Sequence, residues 1–377
     1  MTPPRKIGLP VREYYNNSET VGDYTTVILQ TLGNFKAHDA PMESSSPLRL
    51  AKNLVLFETK LANATPDTQA QEDVTQYYNP KSIDETQSLL PEVSFEKIIS
   101  TLGPKDFKTD RLIVGSPSYL QELSDIVKNT PRDVIQSFFK WKVIQSYQSN
   151  IEDSKIIPLR MFDNRLAGKD PQATEDRWRK CIRVLDDGIG WALSRFYVLD
   201  SFPEDSKKLG DQIVSDIKER FIYVLDQTKW MSGDVRQLGK QKVANIKQKI
   251  GYPTKSPNLM DAVDVKNYYR DLNISNHAFF ENSVAMAAFA VRGTWSQLGK
   301  PTNWDEWEMT APTVNAYYNP PGNEIVFPAG IMQPPTFYGP TAPLYLSYGS
   351  FGAISGHELS HGMSDPSLLR RPHLISS

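Results

Sequence analysis

The chain holds a single cysteine, Cys181, so no disulfide can form within it and burial must hold the fold together. It also lacks a surplus of either charge. Its 42 Lys and Arg face 44 Asp and Glu, a formal −2, which gives no electrostatic case for nucleic acid or an anionic membrane. Long apolar runs are missing too. The longest, Val284 to Val291, is far too short to cross a bilayer, and the opening MTPPRKIGLPVREYY has no apolar core of a signal peptide. Read literally, these absences describe a soluble, cytosolic chain.

What is present is ordinary globular composition, 39% hydrophobic and 23% charged, over 377 residues. That length exceeds what one core usually serves, so two domains are expected. Three N-x-S/T triplets, at Asn16, Asn63 and Asn273, point the other way on location, toward a secretory origin. Cys181 is expected as a small buried residue or an idle thiol.

Helical spacing of apolar residues dominates the first two thirds. It predicts a turn and helix within Gly8 to Phe35, a helix over Pro47 to Ala64 (Leu50, Leu54, Leu56 and Leu61 inward), and a strand RLIVGS leading to a helix that ends near Lys128. Thr130-Pro131 marks the start of a helix burying Val134, Ile135, Phe138, Trp141 and Ile144. Ser149 to Gln172 is mixed and charged, a surface excursion. A helix from about Thr174 is expected to bury Trp178, Ile182, Leu185, Ile189, Ala192 and Phe196. Others follow from Ser206, with Leu209, Ile213, Ile217, Phe221 and Val224, and over about Val235 to Ile250. Beyond a linker at Pro253, helices are expected around 263–272 and 279–291. Val314 to Tyr318 and Glu324 to Phe327 then form a hairpin about Asn319-Pro320-Pro321-Gly322.

Near the end comes GAISGHELSHG, Gly352 to Gly362. On a helix, His357 and His361 lie on one face and can aim both imidazoles at one ion, and neutral imidazole suits zinc. Glu358 between them is placed to take a proton from a water activated there. Small residues ahead of His357 (Gly352, Ala353, Ser355, Gly356) suit a backbone that passes close to a cleft, while Ile354 and Leu359 give the helix a side to bury. An exposed edge of the neighbouring hairpin would receive an extended peptide by main-chain hydrogen bonds.

VNAYYNPPGNEIVFPAGIMQPPTF and GAISGHELSHG, in this order and close spacing, resemble the neprilysin and endothelin-converting-enzyme family of zinc metallopeptidases. The resemblance reaches back through DRWRKCIRVLDDGIGWALSRFYV to GLPVREYY, covering nearly all of Ile7 to Asp365. It implies a mainly α fold with a small β component, in which a large helical domain caps the first part of a thermolysin-like zincin catalytic domain. The segments expected are 1–253 as the helical capping domain, 254–311 as a helical linker region, 312–365 as a partial catalytic domain and 366–377 as a tail with no family counterpart. It further implies Zn2+ on His357 and His361, Glu358 as general base, Asn315 and Ala316 holding the substrate backbone, and Ile331 in the pocket after the scissile bond. Thr336 stands where the family has an aromatic wall. Cys181 matches a family cysteine whose disulfide partner lies in a stretch not present here.

The function implied is a zinc endopeptidase that cleaves small peptides on the amino side of apolar residues, with no nucleic-acid partner. Relatives of this kind are membrane-anchored ectodomains or secreted proteins, although this chain shows no membrane span. The family's third zinc ligand is a Glu on a later helix. After His361 this chain has no Glu, Asp365 is its only acid and His373 lies in the tail, so truncation at both ends is expected. The alternative is a catalytically incompetent family member that binds a peptide or partner.

Overall fold

The computed structural model describes residues 1–35, 46–67, 70–71, 73–151 and 153–363. Asp365, His373 and the tail 366–377 lie outside them. Packing divides the chain into two compact units, Met1–Asp176 and Arg177–Ser377. The segment 1–253 of the sequence reading therefore spans the first unit and part of the second.

In the first unit, a turn at Arg12–Asn16 leads into α1 (Ser18–Asn34), capped by the Asn17 side chain accepting from the Thr20 amide. Then come α2 (Pro47–Ala64), α3 (Val74–Tyr77), α4 (Ile83–Leu89) and α5 (Phe95–Leu102). They are followed by α6 (Pro117–Lys128), α7 (Arg132–Ser146) and α8 (Asp153–Leu166). Strands β1 (Asn79–Ser82) and β2 (Arg111–Val114) pair antiparallel, Asn79 opposite Val114. The core joins α1, α2, α7 and α8 through Ile28, Leu54, Trp141 and Leu159, each at most 1% exposed. α2 matches its sequence prediction end to end, but Leu56 faces out, because Val55 and Phe57 turn inward instead. The expected surface excursion is largely α8, whose Ile156, Leu159 and Phe162 are buried. Charged neighbours and an internal Pro158 obscure that stripe in the sequence.

In the second unit come α9 (Arg177–Ser201), α10 (Glu204–Gln227), α11 (Gly233–Ala244), α12 (Ala262–Tyr268), α13 (Phe279–Trp295) and α14 (Leu344–His361). α10 and α14 pack against a sheet ordered β3-β5-β4: β3 (Lys247–Gly251) runs parallel to β5 (Glu324–Pro328), and β4 (Tyr317–Asn319) antiparallel to it. β5 is the centre, with Ile325, Val326 and Phe327 fully buried, as a central strand covered on both faces requires.

Three expectations change here. The helix expected to reach Ile250 ends at Ala244, and Lys247–Gly251 pairs with β5. The first strand of the hairpin starts at Tyr317, because the Ala316 amide bonds to the Asn315 side chain rather than to the sheet. In α9, Trp178, Ile182, Leu185 and Phe196 are exposed, whereas Trp191, Ser194 and Val198 are buried. α9 carries more apolar surface than one stripe, and a kink at Ile189 (φ −128, ψ 37) turns its second half; the Trp191 amide donates to the Tyr269 hydroxyl there. Cys181, on the exposed part of α9, is an exposed free thiol.

Candidate active site

α14 owes its position to Phe351, which is fully buried between Phe327 of β5 (centroids 5.1 Å apart) and Phe337 (5.5 Å), both in edge-to-face contact. Gly352 allows the helix to approach α10, since a Cβ there would stand 3.3 Å from Ile217 Cδ1. The Tyr348 hydroxyl donates to Asp216 of α10, a second tie between the two helices. The small-residue run thus serves helix packing at Gly352 and Ser355, both buried, while Gly356 faces open space.

One helical turn from its end, α14 presents His357 and His361 outward, with their Nε2 atoms 3.1 Å apart and the rings 84° to one another. Two nitrogens bound tetrahedrally to one zinc at 2.0–2.1 Å stand about 3.3 Å apart, so the imidazole pair fits one zinc ion. Glu358, between them in sequence, is 5% exposed. Burial raises its carboxyl above the usual range, against the pull of the His361 and His357 imidazoles and the Tyr318 backbone amide. Leu359 beside it is fully buried and anchors the turn.

Tyr318 of β4 is the site residue that the sequence reading missed. Its amide donates to Glu358, its ring packs 3.3 Å from the space a Cβ on Gly362 would fill, and its hydroxyl donates to Asn323 Oδ1 at 3.1 Å. Its place in the hairpin next to Asn315-Ala316 was the available signal. Asn315 is exposed and Ala316 buried, on the approach to β4, which is the edge of the sheet. Gly330 places that approach: a Cβ on it would lie 2.2 Å from the Pro312 carbonyl oxygen, and its amide donates to the Ala311 carbonyl at 2.7 Å. Ile331, 8% exposed, belongs to the packed core of this unit, and Thr336 is half-buried. Among the described residues, no third His, Cys, Asp or Glu joins the imidazole pair to form a metal-binding group. No helix among them is long and apolar enough to cross a membrane.

A convergent imidazole pair and an inward carboxylate on one helix, beside a sheet with a free edge, define the H-E-x-x-H metallopeptidase class. The models for Peptidase family M13 match residues 1–253 and 315–370, and the chain belongs to that family. It is 30% identical over 365 residues to endothelin-converting enzyme 1 of Rattus norvegicus and 31% identical to that of Homo sapiens, each over 95% of this chain. It spans 47% and 46% of those relatives, about half their length. Among solved structures it is similar to the Mycobacterium tuberculosis zinc metalloprotease Zmp1 in complex with inhibitor, with TM-score 0.81 and 27% identity over 95% of this chain and 52% of that one. PepO from Lactobacillus rhamnosis shares the fold at TM-score 0.78 and 21% identity, over 96% of this chain and 55% of that one.

Proposed function

We propose that this chain carries the zinc-binding helix and substrate-binding edge of a peptidase that cleaves small peptides on the amino side of apolar residues. The carrying observation is the imidazole pair at 3.1 Å with Glu358 buried between them in sequence. His357 and His361 would hold the metal. When bound, zinc supplies polarisation of the scissile carbonyl. Glu358, oriented by the Tyr318 amide, takes a proton from the attacking water and passes it to the leaving amine. Asn315 and Ala316 hold the substrate main chain against the sheet edge, and Ile331 borders the pocket for the apolar side chain. In this reading 1–253 is the helical peptidase domain, 254–311 the helical linker region and 312–365 the partial catalytic domain. An ectodomain or secreted location fits the three triplet asparagines, Asn16, Asn63 and Asn273, which are exposed.

A second reading, peptide binding without hydrolysis, is favoured by one observation: two imidazoles without a third protein ligand among the described residues hold zinc weakly. One experiment separates the two. The purified chain is given a fluorogenic peptide with Leu or Phe after the target bond, with chelator and then zinc added back. Zinc-restored cleavage that falls about 10²–10⁴-fold in Glu358→Gln supports the peptidase. Peptide binding without cleavage at any zinc concentration supports the second reading. Cleavage untouched by Glu358→Gln would sink the general-base assignment.

A further inference from the structure

We infer that a cavity at the start of α10 binds a small zwitterion, a free α-amino acid or very short peptide, with Lys207 holding its carboxylate. The cavity has a volume of about 390 Å³ and lies between α10, β3 and the loops carrying Tyr252 and Trp307; it includes none of the residues assigned to the peptidase site.

Most lysines lining this cavity already have carboxylate partners. Lys249 pairs with Glu324 at 2.9 Å, Lys255 with Asp305 at 3.4 Å and Lys208 with Asp205 at 3.6 Å. Lys207 is different. It is half-buried, its ammonium stands 3.9 Å from the centroid of the Tyr252 ring, and no carboxylate among the described residues forms an ion pair with it. The ammonium is partly withdrawn from water against a π-face, and Glu204 and Asp211 act on it only from beyond ion-pair distance, so Nζ can still take a carboxylate in direct contact. Burial accordingly lowers the Lys207 ammonium below the usual lysine range, against the opposing pull of Glu204 and Asp211.

Those two acids decide what kind of anion fits. Glu204 accepts from the Tyr252 hydroxyl through Oε2 (3.3 Å), and Asp211 accepts from Gln248 Nε2 through Oδ1 (2.6 Å). Each keeps a second oxygen with acceptor capacity. A simple anion brought to Lys207 would be repelled by both. A ligand that carries an ammonium beside its carboxylate satisfies all three groups at once. The buried walls, Ile250, Tyr252 and Trp307, offer an apolar lining for a side chain. The inference is independent of the peptidase reading.

The test is calorimetric titration of the whole chain with L-leucine, with leucine amide (no carboxylate) and with isovalerate (no ammonium). The expected result is one leucine site, with each analogue weaker about tenfold or more, the loss expected for one charge-assisted contact. Lys207→Met should weaken leucine by a similar factor. Lys240→Met, which removes a lysine outside the cavity paired with Asp226, and His357→Ala should both leave it unchanged. Absence of leucine binding would overturn the proposal, as would equal binding of either analogue, indifference to Lys207→Met, or loss in His357→Ala. If Lys207→Met fails to fold, the analogue comparison on the unaltered chain decides alone.

Discussion

Glu58, on α2, is fully buried within the core of the first unit, and replacing it with Gln tests whether that core holds a carboxylic acid rather than a carboxylate. One oxygen, Oε2, accepts from the Tyr15 hydroxyl at 2.9 Å, while Oε1 has no hydrogen-bond partner. The Tyr15 hydroxyl in turn receives the amides of Gly8 and Leu9, both at 3.0 Å, so the GLPVREYY stretch is tied to α2 through this acid. Burial pushes the carboxyl from 4.5 up to about 7, only partly offset by Tyr15, Lys142 and Tyr24. Because the folded value lies above the unfolded one, the folded state binds the proton more tightly. The resulting stability is fully present below about pH 4.5 and is lost as pH rises through about 7. At about 1.36 kcal/mol per pKa unit, the loss across that window is roughly 3 kcal/mol. Glu58→Gln cannot ionise, so its stability should be flat over the same range. The amide adds an unsatisfied donor near the former Oε1, which costs about 1–3 kcal/mol at every pH. The quantity to read is therefore the change with pH of the difference between the two proteins. Urea unfolding at pH 4.5, 6 and 8, followed by hydrogen exchange of the α2 amides to isolate this unit, should show the variant gaining about 3 kcal/mol relative to wild type between the extremes. Parallel pH profiles would refute the reasoning. A variant that loses ground as pH rises would mean that Glu58 is ionised and held by Lys142.

Phe351→Ala should cost about 3–5 kcal/mol in the second unit, read by urea unfolding, because the helix loses its contacts to both Phe327 and Phe337. Gly330→Ala places a methyl 2.2 Å from the Pro312 carbonyl oxygen, a backbone atom, so a loss of about 1–3 kcal/mol is expected from the same assay. His361→Ala should abolish zinc uptake by the chain, measured by elemental analysis after dialysis against zinc, whereas Glu358→Gln should retain it. Retained zinc in His361→Ala would remove that residue from the metal site.

Much of this protein was legible locally. The bounds of α2, the strand-then-helix run from Arg111 to Lys128, and the H-E-x-x-H turn of α14 all follow from patterns within a few residues. The imidazole pair is legible for the same reason, since residues four apart on a helix must share a face. What failed was whatever depends on distant partners. Lys247–Gly251 is a strand only because β5 offers a parallel edge more than 70 residues away in sequence, Lys247 opposite Glu324. α9 has apolar residues on several sides, and only the packing of its second unit chose Trp191, Ser194 and Val198 over Trp178 and Phe196. The buried acid at Glu58 is invisible in a stretch that reads as an ordinary amphipathic helix, and the Tyr318 amide reaches Glu358 only through the hairpin's placement beside α14. Backbone periodicity is a property of neighbours along the chain, so sequence alone determined most of the helices and the shared face of His357 and His361. Burial and pairing are properties of neighbours in space, so only the tertiary structure decided which faces, acids and amides those elements bring together.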